Sequence, residues 1–544
     1  MTGGVIMLRL MIFSLLFGFV RVWTVQAEQR QPNILFILVD DLGYGDPRCY
    51  GGNRIPTPGI DRLAREGLLF TQYYQCGSVC SPSRASLMTG MWPSDVSVFG
   101  HFATPANNAK RGMPDFLDPS LPTLPRILQK GGYKTLHVGK WHLGRPKDSG
   151  ESLDVYGFDE AHWIDCNHEG VSLWKVEQRP IASKVLVEKT IEVIEKNKST
   201  PFYCQLWLDD PHALLAPSEE QMEPFRNKNA PKNFTTPHQV YAATVAEMDR
   251  QILRLLVKLD ELNLARDTIV IFSSDNGPED IEIGNASWSG LGSAGPLRGR
   301  KRSLYEGGIR VPFIIRWPAG GIPAGKINRK SVVSGADLLP TLCALTQVDV
   351  PDAVSERIRG QSMAPAFTGT LDFVRDRPIM WEWRYKVFNH RWNCSPILAV
   401  RDGKWKLLFN PDKSRVELYD MELDPYEERN LAHEHAAIVE RLQQMTLVWQ
   451  RSLPESTFDP EAGTQPAKWP QEGAGNSVKP RVDRNVYFDR SDADKDNRLS
   501  RDEYLGNFGK PGNKRRAIGE ERFPLFDNNG DGWLSREEFI QMGR

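Results

Sequence analysis

Asn33-Ile34-Leu35-Phe36-Ile37-Leu38-Val39 is, after its first residue, a continuous apolar run that stops abruptly at Asp40-Asp41. A strand that is apolar at every position must be covered on both faces, which predicts a parallel sheet packed between helices. Further short apolar runs predict buried strands at residues 135–138, 202–208, 268–273 and 311–317. Between them Val245, Met248, Ile252, Leu255, Leu256 and Leu259 recur at helical spacing and mark one face of a long helix. Thr57-Pro58, then Leu63, Ala64 and Gly67, predict a helix with proline in its first turn and glycine after its end. Strands alternating with helices indicate an α/β domain, where ligands gather at the carboxyl ends of strands. Asp40-Asp41 and Ser274-Asp275-Asn276 fall at two such ends.

The pattern changes after about residue 370. Residues 399–408 read as a hairpin around Asp402-Gly403, residues 417–420 as another strand, and residues 436–453 as a helix. This predicts a smaller α+β subdomain over 371–453, behind a main domain over 28–370. Residues 454–481, rich in Pro, Gly, Glu and Ser, read as a linker. The tail, 482–544, carries two stretches with oxygen-bearing residues at positions 1, 3, 5, 9 and 12 of a twelve-residue loop. The first runs through Asp492, Asp494, Asp496, Ser500 and Glu503; the second runs through Asp527, Asn529, Asp531, Ser535 and Glu538. That spacing is the EF-hand pattern for Ca²⁺, with Gly532 at the turn of the second loop and Asn497 at the turn of the first. An α-helical calcium-binding pair is therefore expected there.

Lys and Arg total 68 against 69 Asp and Glu, so no overall charge argues for nucleic acid or a membrane surface. Any anion site must be local. Arg9, the apolar residues 10–20 and Val25-Gln26-Ala27 resemble a secretory signal cleaved after residue 27. A secreted or periplasmic protein is expected, with no integral membrane segment after cleavage. The seven cysteines, Cys49, Cys76, Cys80, Cys166, Cys204, Cys343 and Cys394, show no paired zinc spacing, and the odd count leaves at least one thiol unpaired or otherwise used.

The chemistry centres on Cys80-Ser81-Pro82-Ser83-Arg84. The residues after it read as a short helix ended by Gly90, which places Cys80 just before a helix start, where free N–H groups and the dipole favour anions. Asp40, Asp41, Asp275 and Asn276 are hard oxygen ligands with no adjacent His or Cys, a set that favours Ca²⁺ or Mg²⁺ over zinc. Lys140 and His142, in Gly139-Lys140-Trp141-His142-Leu143-Gly144, follow one predicted strand, and His212 follows another. Lys301 lies in the basic run 298–302 before Tyr305-Glu306-Gly307-Gly308.

Together these residues resemble the formylglycine-dependent sulfatase family. Cys80-Ser81-Pro82-Ser83-Arg84 matches its C-x-P-S-R signature, and the other segments match further blocks in family order over about residues 31–450, ending with Leu418-Tyr419-Asp420 and Asn430-Leu431. The resemblance implies an alkaline-phosphatase-like sheet between helices. It implies that a maturation enzyme oxidises Cys80 to Cα-formylglycine, whose hydrate attacks sulfur with one hydroxyl and uses the other to expel sulfate. Asp40, Asp41, Asp275 and Asn276, with the modified Cys80, would hold Ca²⁺. Arg84 would hold the diol, Lys140 and Lys301 the sulfate, His212 would protonate the leaving oxygen, and His142 would be the base for release. One departure is the Met91–Gly100 stretch, near the pocket rim in the family, which leaves the substrate open.

The expected activity is hydrolysis of sulfate monoesters, with sulfated sugars a plausible class. His162, Trp163, His168, Trp381, Trp383 and Trp392 could line a sugar pocket or belong to the core. Two other readings stand beside it. One is a phosphomonoesterase or phosphodiesterase of the same superfamily, which Cys80 and the oxygen-only ligand set oppose. The other is an inactive extracellular calcium-binding protein, which the complete catalytic set opposes.

Overall fold

A computed structural model describes residues 31–144, 152–164, 175–226, 236–280, 288–387, 393–464, 484–510, 514–527 and 531–541. The predicted signal at 1–27, Cys166, His168, Trp392 and Asn529 lie outside the described residues.

The strands in chain order are β1 (Asn33–Val39), β2 (Leu68–Phe70), β3 (Tyr73–Tyr74), β4 (Lys134–Lys140), β5 (Glu160–Ile164), β6 (Phe202–Trp207), β7 (Thr268–Ser274), β8 (Phe313–Arg316), β9 (Lys326–Asn328) and β10 (Val333–Ser334). Eight of them make one sheet in the order β5-β4-β6-β1-β7-β8-β2-β9, with β3 and β10 paired separately. The five strands from β5 to β7 run parallel, with β1 between β6 and β7. β8 departs from the parallel expectation, lying antiparallel to both β7 and β2. The described part of the β7–β8 connection holds only the short turns Ser289–Leu291 and Glu306–Ile309. A parallel return usually crosses over through a helix packed on the sheet, and the described part of this connection has no such helix.

β1 is buried on both sides, as its composition demands. Ile34, Phe36 and Leu38 face one core layer with Ala85, Leu87 and Met88 of the Cys80–Thr89 helix. Leu35, Ile37 and Val39 face the other, with Ile60 and Leu63 of the Pro58–Glu66 helix and Val245, Met248 and Ile252 of the Thr236–Glu261 helix. At roughly 1.5–3 kcal/mol per buried apolar side chain, these six contribute on the order of 10 kcal/mol before chain entropy is subtracted.

The C-terminal sheet, β11 (Ile379–Glu382), β12 (Leu398–Asp402), β13 (Trp405–Phe409) and β14 (Glu417–Asp420), is antiparallel throughout. The expected hairpin is β12–β13, turning at Gly403 with φ +56°. The Ala436–Arg451 helix packs on this sheet through Leu442 and Trp449. Its core is continuous with Tyr74, Val79, Leu304 and Tyr305. Lys406 completes the join, with Nζ 2.8 Å from Glu306 and 2.7 Å from Glu427.

The linker reading fails for residues 454–464. Asp459 N donates to Arg384 O at 2.9 Å, Ser456 Oγ donates to Arg111 O at 2.9 Å, and Ala462 is buried. Local polar contacts tie down a stretch whose composition resembles a free linker. The tail forms helices Arg484–Ser491, Arg501–Gly506, Lys514–Phe526 and Arg536–Gln541, with strands β15 (Arg498–Ser500) and β16 (Trp533–Ser535) paired antiparallel. Phe488, Leu499, Tyr504, Leu505, Phe523, Leu534 and Phe539 give it a small core of its own. The six described cysteines are all free. Among the described residues, no helix is long and apolar enough to cross a membrane.

Candidate active site

β1 and β7 run side by side in register, Val39 opposite Ser274. The next residues of both strands therefore emerge together at the carboxyl edge. Asp275 N donates to Val39 O at 3.0 Å, and Asp41 N donates to Asp275 Oδ1 at 3.2 Å. Asn276 Nδ2 donates to Asp41 Oδ1 at 2.6 Å. Asp40, Asp41, Asp275 and Asn276 are all fully buried. Gly277 permits the close packing: a Cβ there would lie 1.9 Å from Gly307 O.

The Cys80–Thr89 helix brings the signature to the same edge. Cys80 is its first residue, so the helix starts earlier than expected from sequence. Pro82, which lacks an N–H, is tolerated in the first turn, where backbone donors have no helical partner. Val79 precedes the helix in extended backbone and supplies no side-chain cap, and the first turn holds no acid. Ser83 Oγ donates to Gly77 O and Val79 O at 3.0 and 3.1 Å and fixes the approach. A buried, uncapped helix start favours an anion. Arg84 points along the same side: Nε and Nη2 donate to Asp275 Oδ2, Nη2 lies 3.4 Å from Asp40 Oδ2, and Nη1 donates to Lys140 O at 2.9 Å.

Lys140 ends β4, where Gly139 at φ +110° passes against the backbone of Trp207; a Cβ there would lie 2.0 Å from Trp207 O. Its ammonium bonds Asp40 Oδ2. Lys301 Nζ donates to both oxygens of Asp41, at 2.6 and 2.7 Å, and lies 3.3 Å from Glu279. His212 Nε2 is 3.8 Å from Asp41 Oδ2, and its Nδ1 lies 2.8 Å from Ala213 O. A carbonyl only accepts, so Nδ1 carries the hydrogen. By the same argument His142 Nε2, 3.1 Å from Phe102 O, carries a hydrogen. His142 Nδ1 is buried without a hydrogen-bond partner among the described residues. Ser81 Oγ donates to His142 O at 2.7 Å and accepts from Phe102 N, which connects the signature helix to the His142 loop and to the segment after residue 100.

Burial raises the Asp40 carboxyl, but Lys140, His212, Arg84 and Lys301 together overcome it and hold Asp40 well below the ordinary range. Asp41 goes the other way: burial, with Asp40, Glu279 and Asp275 adding, outweighs Lys301 and lifts it well above. Burial, then Lys140 and Lys301, keep His212 well below an ordinary imidazole. The donor set fits a hard cation. Asp40 Oδ1 and Asn276 Oδ1 are buried acceptors with no hydrogen-bond partner among the described residues. One ligand atom each of Asp40, Cys80 and Asp275 lies within 4.8 Å of the others, and the same holds for Asp40, Asp41 and His212. Carboxylate and amide oxygens suit Ca²⁺ better than a metal that prefers nitrogen or sulfur.

The sequence singled out the groups around Asp40 but missed their supports. Glu279 bridges Lys301 and Arg302, with Arg302 Nη1 2.5 Å from Glu279 Oε1. It follows Asp275-Asn276-Gly277-Pro278 directly, so extending that motif would have found it. Arg179 is buried; it bonds Asp209, pairs with Asp210 at 2.7 Å and donates to His212 O at 2.9 Å. Nothing local in Gln178-Arg179-Pro180 marks it. Of the two places open to Trp381 and Trp383, sugar pocket or core, the structure shows the core. Trp381 and Trp383 lie in the C-terminal core, Trp381 donating from Nε1 to Gln75 O at 2.7 Å. His162 pairs with Glu160 at 2.9 Å on edge strand β5.

Comparison with known proteins agrees with this arrangement. The sulfatase family profile matches residues 32–348, and a profile for the C-terminal part of N-sulphoglucosamine sulphohydrolase matches residues 299–451. Human arylsulfatase A is 29% identical over 482 residues, covering 80% of this chain and 90% of its own length. N-acetylgalactosamine-6-O-sulfatase of Bacteroides thetaiotaomicron is 26% identical over 511 residues, covering 77% and 93%. The crystal structure of Ps i-CgsB in complex with k-i-k-neocarrahexaose superposes with a TM-score of 0.66 at 25% identity, covering 82% of this chain and 98% of that one. With its carboxylates, cations and cysteine gathered at one sheet edge, the chain belongs to the sulfatase family and is a sulfuric ester hydrolase.

Proposed function

We propose that the protein is an exported, calcium-dependent sulfatase that removes sulfate from sulfated sugars, with formylglycine made from Cys80 as its nucleophile. The observation that carries this reading is the placement of Cys80. It opens a buried, uncapped helix one turn before Arg84, within 4.8 Å of ligand oxygens of Asp40 and Asp275. The sugar class is supported by the names of the relatives, which include an N-acetylgalactosamine-6-O-sulfatase and a structure holding a neocarrahexaose. Export rests on the apolar run at residues 10–20.

Asp40, Asp41, Asp275 and Asn276 would hold Ca²⁺, which supplies positive charge to the sulfate oxygens and acidifies the attacking hydroxyl. A formylglycine hydrate at position 80 supplies an oxygen nucleophile and a second hydroxyl for sulfate release. Arg84, fixed by Asp275, orients residue 80. Lys140 and Lys301 are the ammonium groups placed to stabilise charge on sulfate oxygens. His212 holds its hydrogen on Nδ1, so giving a proton from Nε2 requires the imidazolium. A sulfate anion beside it offsets Lys140 and Lys301 and favours that charged form. His142 Nδ1 is the acceptor for the proton lost when sulfate leaves.

The test is direct. Protein made in a host with the maturation enzyme should yield a Cys80 peptide with the mass of formylglycine, and Cys80→Ala should abolish turnover of para-nitrophenyl sulfate. An unmodified thiol in fully active enzyme would overturn the mechanism. Phosphate-ester activity exceeding sulfatase activity would favour the phosphatase alternative.

A further inference from the structure

We propose that the first tail loop, Asp492 to Glu503, is a second Ca²⁺ site, separate from the hydrolytic one, and that Arg536 sets its affinity. The loop leaves the Arg484–Ser491 helix and ends in the Arg501–Gly506 helix, so an ion here joins two helices. One oxygen each of Asp492, Asp494 and Glu503 lies within 4.8 Å of the others, about twice a Ca–O distance. Exposed acidic clusters are common, and this one differs in a specific way. Asp492 is only 5% exposed, and its Oδ1 is buried without a hydrogen-bond partner among the described residues, while Oδ2 accepts from Asn497 N at 3.0 Å. A buried, unpaired carboxylate oxygen is costly unless a cation takes it. Glu503 Oε1 accepts from Ala493 N at 2.9 Å, which brings the last carboxylate of the loop back over its start. Carboxylates at loop positions 1, 3, 5 and 12 give an oxygen-rich, flexible set that suits Ca²⁺ better than the tighter octahedron of Mg²⁺.

Arg536 comes from the other half of the tail. Its Nε and Nη2 donate to Asn497 Oδ1 at 3.0 and 2.9 Å, and Nη2 also donates to Asp489 Oδ1 at 2.6 Å. Asn497 has φ +64°, the left-handed turn residue of the loop. The guanidinium thus pins the strained position that aims the ligands, and β15 pairs with β16 through Leu499 and Leu534 beside it. Trp533 pairs with Ser500 across this ribbon, with Arg498 5.5 Å from its ring, so its indole is placed to report on the loop.

The test uses the full-length enzyme with Ca²⁺ and, as a luminescent probe, Tb³⁺ excited through tryptophan. Wild type should bind Ca²⁺ in preference to Mg²⁺ and show sensitised Tb³⁺ emission, of which Trp533→Phe removes the component from the tail. Glu503→Gln and, as a second variant at an exposed position, Asp494→Asn should each weaken this binding at least tenfold. Both should leave turnover of para-nitrophenyl sulfate unchanged, which separates this site from the hydrolytic one. Tail proteolysis should be slowed by Ca²⁺ in wild type and not in Glu503→Gln. Undiminished affinity and protection in both carboxylate variants would overturn the site. Arg536→Met should weaken binding about threefold or more; unchanged affinity in that variant alone would overturn the role of Arg536.

Discussion

Arg84 donates from two nitrogens to one oxygen of Asp275, from Nε at 3.1 Å and from Nη2 at 2.8 Å. With its third nitrogen on Lys140 O, one guanidinium ties the signature helix to the ends of β7 and β4. Lysine keeps the charge but cannot reproduce the fork. Arg84→Lys should lower kcat/KM for para-nitrophenyl sulfate by about 10²–10³, in the range for removing one preorganised donor. It should also cost about 1–3 kcal/mol of stability through bonds left unmade in a buried site. Near-normal kinetics in this variant would remove Arg84 from the machinery.

His142 and His212 hold their hydrogens on different nitrogens, and this separates their expected defects. If His142 acts only in sulfate release, His142→Asn should give a burst of about one alcohol per active site and then almost no turnover. His212→Gln should show no burst with alkyl or sugar sulfates, whose leaving oxygens need a proton. It should retain more activity on para-nitrophenyl sulfate, whose leaving group is a weak base. Rapid-quench measurements on both variants check this; identical leaving-group dependence in the two would contradict the assignment.

Asp40 Oδ1 and Asn276 Oδ1 are buried acceptors without hydrogen-bond partners among the described residues, as expected for groups that serve a cation. Treatment with a calcium-selective chelator should therefore abolish hydrolysis, and Ca²⁺ should restore it. The Glu503→Gln enzyme should respond in the same way, because its altered loop is outside the sheet edge. Asp275→Asn should need higher Ca²⁺ for half-maximal rate. Activity that survives exhaustive chelation would argue against a resident ion.

Much of this was legible because β1 is apolar at every position from Ile34 to Val39, which marks both a buried central strand and its functional end at Asp40. The pairing of that end with Asp275-Asn276 was suggested by both runs ending in acids, yet the register of Val39 with Ser274 comes from the sheet. Arg179 was not legible: its partners Asp209, Asp210 and His212 lie some thirty residues away and the link is tertiary. The place of Trp381, pocket or core, was left open by the sequence because aromatic composition does not say which way a side chain faces; its indole N–H is satisfied inside the core by Gln75 O. Residues 454–464 were misread because a Pro- and Glu-rich composition does not reveal that Asp459 bonds the backbone of both Arg384 and Lys386.

Asp249 provides a test of the fold that is independent of catalysis. It sits in the Thr236–Glu261 helix and accepts from Gly59 N and Ile60 N, at 2.7 and 2.8 Å, which satisfies the open start of the Pro58–Glu66 helix. Burial lifts its carboxyl to about 7 despite those two bonds. An unfolded aspartate titrates near 3.9, so between roughly pH 4 and 7 the folded chain holds a proton that the unfolded chain lacks. Stability from this group therefore falls as pH rises through that window. Asp249→Asn removes the titration. The thermal midpoint of wild type minus that of Asp249→Asn should shrink from about pH 4 to pH 7 and then level off, and a difference that stays constant with pH would show that this carboxyl is ionised in the folded protein throughout.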